Sequence, residues 1–134
     1  MKTRQFRDLQ VWQRSMRLAR DVYTYTNDFP KHEVFGLTGQ MRRAAVSVPS
    51  NIAEGRGRAS DKSFRLFLTQ AQGSLFELET QLQLAADIGY SDPANANKLM
   101  LECQEIAQML HAFMRTLKTK EKSTTSLGAA SRLS

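Results

Sequence analysis

Apolar residues recur at steps of three and four along most of the chain, the period of helices that bury one face. The first helix runs from about Asp8 to Phe29, with Leu9, Trp12, Met16, Ala19 and Tyr23 as its predicted core face and Pro30 beyond its end. The second covers Val34 to Glu54, with Val34, Leu37, Met41, Ala44, Val48 and Ile52 on one side. Pro49 falls inside that pattern, has no N–H for the carbonyl of Ala45, and should kink the helix at a cost of roughly 3 kcal/mol unless packing offsets it. Gly55 is expected to cap it in the left-handed conformation.

Ser60 is the expected N-cap of a third helix, Asp61 to Ile88, whose face is Phe64, Leu68, Ala71, Leu75, Leu78, Leu82 and Ala85, and which Gly89 terminates. Asp92-Pro93 supplies the N-cap and first-turn proline of a fourth, in which Ala96, Leu99, Cys103, Ile106, Leu110, Phe113 and Leu117 alternate by threes and fours. From Lys118 the sequence KTKEKSTTSLGAASRLS loses all period. The expectation is an all-α, antiparallel up-and-down four-helix bundle over residues 1–117 with a kinked second helix, followed by a disordered, basic, Ser/Thr-rich tail over 118–134.

Two helices are apolar on both sides. Val11, Leu18 and Tyr25 repeat every seven residues away from the predicted core face of the first; Leu66, Gly73 and Leu84, with Phe76 nearby, do so on the third. A monomeric bundle would leave such stripes in water, so they are the candidate oligomer interface.

Composition adds a charge asymmetry and few constraints besides. A chain of 134 residues is one domain by length. Its single cysteine, Cys103, has no partner for an internal disulfide. The amino terminus MKTRQFRDLQ lacks the apolar run of a signal peptide, and no stretch approaches a membrane span, so a soluble cytoplasmic protein is expected. The net charge of +6 is uneven: residues 1–60 hold 11 basic and 5 acidic side chains, residues 61–117 hold 4 and 7, and residues 118–134 hold 4 and 1. An anionic partner is therefore sought on the first half and the tail.

Arg42-Arg43 and Arg56-Gly57-Arg58 are candidates for gripping phosphates, because guanidinium forks bind them bidentately and a glycine loop lets backbone N–H groups approach. The alternative is that Arg42 and Arg43 pair with Glu54, Glu77 or Glu79. Arg14 and Arg17, with Arg7, line the polar flank of the first helix, as further cationic candidates or as a solvated face. Gly55 to Ser60 superficially resembles a glycine-rich nucleotide fingerprint, but a helix precedes it where a strand is required. Asn51 and Glu54, with Glu77 and Glu79, are expected to serve structural hydrogen bonding near the proline. His32 and His111 are too remote in sequence to form a metal site with Cys103; His111 is read as a surface residue and Cys103 as a small core hydrophobe. No cofactor and no catalytic constellation are expected.

FRDLQVWQ at Phe6 to Gln13, FGLTGQMRRAAVSVPSNIAEG at Phe35 to Gly55, FLTQAQGSLFELETQL at Phe67 to Leu82 and IGY at Ile88 to Tyr90 together resemble the four-helix-bundle family of 23S rRNA intervening-sequence proteins, over Phe6 to about Leu117. That family includes the accessory variability determinant of diversity-generating retroelements. The resemblance implies a ring-shaped homopentamer that binds nucleic acid and a reverse transcriptase through a basic surface, with no catalytic residues to carry over. One departure is Gln72, where the family often has a basic residue before Gly73-Ser74. The resulting expectation is a non-enzymatic homo-oligomeric adaptor for nucleic acid; the alternative is an interaction scaffold whose charge only confers solubility.

Overall fold

The computed structural model describes residues 5–117. They form four helices: α1 (Gln10–Thr26), α2 (Leu37–Arg56), α3 (Asp61–Asp87) and α4 (Pro93–Arg115). The expected disorder of 118–134 lies outside the described residues. Each helix packs against its neighbours in chain order and α1 closes the ring of four against α4, the antiparallel up-and-down arrangement.

The predicted end signals hold at three places. The Ser60 hydroxyl accepts from the Ser63 N–H at 3.1 Å, and the Asp92 carboxylate accepts from the Ala94 N–H at 3.0 Å. Gly89 has φ 83°, a left-handed conformation that ends α3. Gly55 is different. It lies inside α2, buried, and the helix runs on to Arg56 with Gly57 at its end in a right-handed conformation. A Cβ on Gly55 would stand 2.7 Å from the Phe67 Cβ and 2.9 Å from the Phe64 ring, so this glycine brings α2 and α3 together rather than capping anything. The start of α2 also moves, from Val34 to Leu37, because residues Lys31–Glu33 form a separate short turn that leaves Val34 and Phe35 exposed.

Pro49 sits buried within α2. Polar side chains flank it in sequence: Ser47 donates to the Ala44 carbonyl at 2.8 Å and shares a hydrogen bond with the Ser74 hydroxyl, and Asn51 donates to the Ser47 carbonyl at 2.8 Å. Asn51 thus has the structural role expected of it. Glu54, Glu77 and Glu79 do not join it; they bond Arg58, Gln81 and Gln104 respectively.

The largest correction concerns α1. Its core face is Val11, Ser15, Leu18, Val22 and Thr26, so Val11 and Leu18 are buried core residues and cannot form an oligomer interface. Tyr25 is half-buried, with its ring 5.3 Å from that of Phe29, and is likewise no free surface. The stripe is interrupted in sequence by two hydroxyl residues. Both hydroxyls are satisfied within the helix: Ser15 donates to the Val11 carbonyl at 2.7 Å and Thr26 to the Val22 carbonyl at 2.8 Å, which makes them acceptable in a core. The face predicted as core instead borders an outward groove with α2, where Trp12 and Met16 are half-buried and Tyr23 is exposed. Only Ala19 of that set is fully buried.

On α3 the prediction stands. Phe64, Leu68, Ala71, Leu75, Leu78, Leu82 and Ala85 are all buried, while on the other side Leu66 (57%), Phe76 (56%) and Leu84 (47%) stay exposed, with Gly73 between them. Cys103 is buried and His111 exposed, as expected.

Candidate nucleic-acid interface

The six candidate arginines do not form one patch. Arg14, on α1, reaches across to α4: its Nη2 donates to Glu102 at 2.7 Å and to Glu105 at 2.6 Å, and its Nε to Glu102 at 3.0 Å. Its hydrogen bonds to Glu102 first and Glu105 second hold its pKa above even the ordinary guanidinium value. Arg17, one turn on, is exposed beside a groove between α1 and α4 of about 660 Å³ whose rim carries one further cation, Lys98, against Asp21, Asp28, Asp92 and Glu102. Those carboxylates offset its field. They make this groove a poor seat for an anion.

Arg42 and Arg43 diverge. Arg42 Nε donates to the Thr26 hydroxyl at 2.8 Å and Nη2 to the Tyr23 carbonyl at 3.2 Å, while the guanidinium lies 4.5 Å over the Tyr23 ring. It fastens α2 to the last turn of α1, where a cation also meets the negative end of the helix dipole. Arg43 is exposed and makes no hydrogen bond or ion pair among the described residues. Neither residue pairs with Glu54, Glu77 or Glu79, whose partners lie elsewhere. Gln72 donates to the Ala107 carbonyl at 3.2 Å and so ties α3 to α4.

Arg56 and Arg58 lie at the end of α2. Arg56 is half-buried with its guanidinium 5.7 Å over the Phe64 ring; Arg58 is exposed, 4.7 Å over the Phe67 ring, and paired with Glu54 at 2.9 Å. Here the fold adds cations that the linear reading passed over or set aside. Arg7 lies 4.9 Å over the Phe6 ring just before α1, Lys62 is exposed in the first turn of α3, and Arg65 Nη2 donates to the Leu117 carbonyl at 3.4 Å. Arg115 closes α4. The signal was available in the connectivity: an antiparallel bundle places the start of α1, the end of α2, the start of α3 and the end of α4 at one end.

Among the described residues no three His, Cys, Asp or Glu side chains gather as a metal site, and no helix is long and apolar enough to cross a membrane. Burial, reinforced by the nearby Glu79 and Glu102, pushes the Cys103 thiol up to about 12, so it is no nucleophile at neutral pH.

The sequence model for 23S rRNA-intervening sequence proteins matches residues 7–112. This chain belongs to that family. The matched segment contains all six candidate arginines and most of α4, so the 23S rRNA-intervening sequence family accounts for the bundle as a whole. A crystal structure of a protein with unknown function from the S23 ribosomal protein family of Bacteroides thetaiotaomicron is similar, with a TM-score of 0.68 and 24% identity over 79% of this chain and 99% of that one. That likeness shows the fold. No curated protein matches the chain.

Proposed function

We propose that this chain is a non-enzymatic, self-associating helical adaptor that holds nucleic acid electrostatically. One observation carries the reading: α3 fills the core with one face and keeps Leu66, Phe76 and Leu84 in water on the other, with Leu101 of α4 also exposed. An apolar row on a soluble helix has a partner as its ordinary explanation, and a second copy is the simplest one. A pentameric ring is the form implied by the resemblance to the accessory variability determinant, and a reverse transcriptase the protein partner it implies. Association multiplies the positive charge of residues 1–60, which favours the phosphate backbone over base edges, since none of the described elements is built to enter a groove.

The scaffold reading is favoured by a specific observation, namely that Arg14, Arg42 and Arg58 are engaged within the chain. A salt titration separates the two. An assembly that neutralises about six phosphates should lose roughly a thousandfold in affinity between 50 and 200 mM salt, on a mixed-sequence duplex and on structured RNA alike. Absence of binding at 50 mM would leave the scaffold.

A further inference from the structure

We infer that the end of the bundle where the described chain enters α1 and leaves α4 is the surface that receives the phosphate backbone, so that nucleic acid is held end-on rather than along the sides of the helices. The inference rests on the nucleic-acid reading above and names its site. Three contacts define this end: Gly55 lies close against Phe64 and Phe67, the Phe64 and Phe113 rings stand 5.4 Å apart, and Trp12 shares an apolar groove with Ala53. The last turn of α2, the first turns of α3, the end of α4 and the start of α1 are thereby neighbours.

Charge is segregated along the bundle axis. Around this end stand Arg7, Arg56, Arg58, Lys62, Arg65 and Arg115, against the acids Asp8, Glu54 and Asp61. The opposite end, over residues 21–43 and 83–98, has four cations and five carboxylates. One of those four, Arg42, is committed to α1.

The geometry suits phosphates in particular. Arg7, Arg56 and Arg58 each lie over a phenylalanine ring, at 4.9, 5.7 and 4.7 Å. A ring fixes the plane of a guanidinium, the kind of support on which sequence-tolerant nucleic-acid surfaces rely, and the exposed Arg7 keeps its outer face for a phosphate or base. The sides of the bundle offer no equivalent: Arg14 is consumed by two glutamates and Arg17 stands among aspartates.

Two triple variants of the full chain test this, each removing three exposed cations: the end variant Arg7→Gln/Arg58→Gln/Lys62→Gln, and the side variant Arg17→Gln/Arg20→Gln/Arg43→Gln, whose residues lie on the sides and toward the opposite end. Fluorescence anisotropy with a labelled mixed-sequence duplex, and with single-stranded RNA of the same sequence, reads the affinity, and circular dichroism checks that both variants keep the fold. At 100 mM salt the end variant should bind at least about tenfold more weakly, with its salt slope reduced by roughly two to three; the side variant should change less than about threefold. An equal or greater loss from the side variant overturns the end-on site while leaving nucleic-acid binding intact. No binding by the unmodified chain at 50 mM salt overturns both.

Discussion

α1 and α3 both carry apolar residues on two sides, and the bundle treats them oppositely. On α3 the face with the longer, unbroken period went inward and the shorter row stayed outside. On α1 the bulkier face, Trp12, Met16 and Tyr23, was left at the edge, and the stripe with a serine and a threonine in it became core. Side-chain size did not decide the matter. The hydroxyls on α1 permitted this, because Ser15 and Thr26 are satisfied inside the helix.

The sharpest way to break this comparison is to place the same charge on each helix. Leu18 is fully buried, so Leu18→Glu puts a carboxylate in the core and should cost about 4 kcal/mol or more, unfolding a marginal domain. Leu66→Glu, on the outer row of α3, should alter stability by no more than about 0.5 kcal/mol while reducing the mass seen by light scattering. A folded Leu18→Glu chain that had merely dissociated would restore Leu18 to the surface. An unchanged mass for Leu66→Glu would remove the outer row of α3 as a contact between copies.

Cys103 probes the core that α3 and α4 enclose. With its thiol pushed up to about 12 from 9.0, the folded chain should hold roughly a thousandfold less thiolate than the unfolded chain near pH 8.5, so alkylation in native buffer should proceed only as fast as the chain opens. The sign of the linkage follows. An acid whose pKa is raised on folding contributes its stability fully below the unfolded value and loses it as pH climbs through the folded one, so stability should fall between about pH 9 and 12, and fall less in Cys103→Ala. Rapid alkylation of the folded chain at pH 8 would show that this core is open.

The glycines sharpen the contrast at smaller magnitude. Gly55→Ala would force a methyl to 2.7 Å from the Phe67 Cβ and should cost about 1–3 kcal/mol as α2 is pushed off α3. Gly73→Ala meets nothing within 4 Å and should stabilise the helix by about 0.5–1 kcal/mol. Thermal melts of the pair decide it; a neutral Gly55→Ala would restore the capping role.

These pairs also mark what was legible in the sequence. Helix number, order, the α3 core and the caps at Ser60, Asp92 and Gly89 follow from local rules, because period and end chemistry are read within one turn of the residue concerned. The α1 face and Gly55 were not legible in that way. Both depend on what arrives from elsewhere: Gly55 on two phenylalanines of α3, and Val11 and Leu18 on which side of α1 the other helices occupy. The arginines suffered similarly, since a glutamate 88 residues away claims Arg14. Charge summed along the chain pointed to the first half, whereas packing sorts the charge by end.

The smallest expected effect lies at the seam between α1 and α4. Where α3 meets α4 through buried apolar side chains, α1 is stitched to α4 by Arg14 between Glu102 and Glu105, a pair of ion contacts with Arg14 only partly exposed. Arg14→Gln keeps a donor but loses the charge. Most of the attraction is solvent-facing on the Glu105 side and more sheltered at Glu102, so the loss should be about 1 kcal/mol at low salt and should shrink as salt rises and screens both contacts. Chemical denaturation by urea in 20 mM and 500 mM salt measures it, urea being uncharged. The same variant should bind nucleic acid almost as well as the parent, because a guanidinium held between two carboxylates has little left to offer a phosphate. If Arg14→Gln instead left the urea midpoint untouched and cut binding severalfold, the seam would be held by packing alone, and Arg14 would return to the binding surface from which the structure removes it.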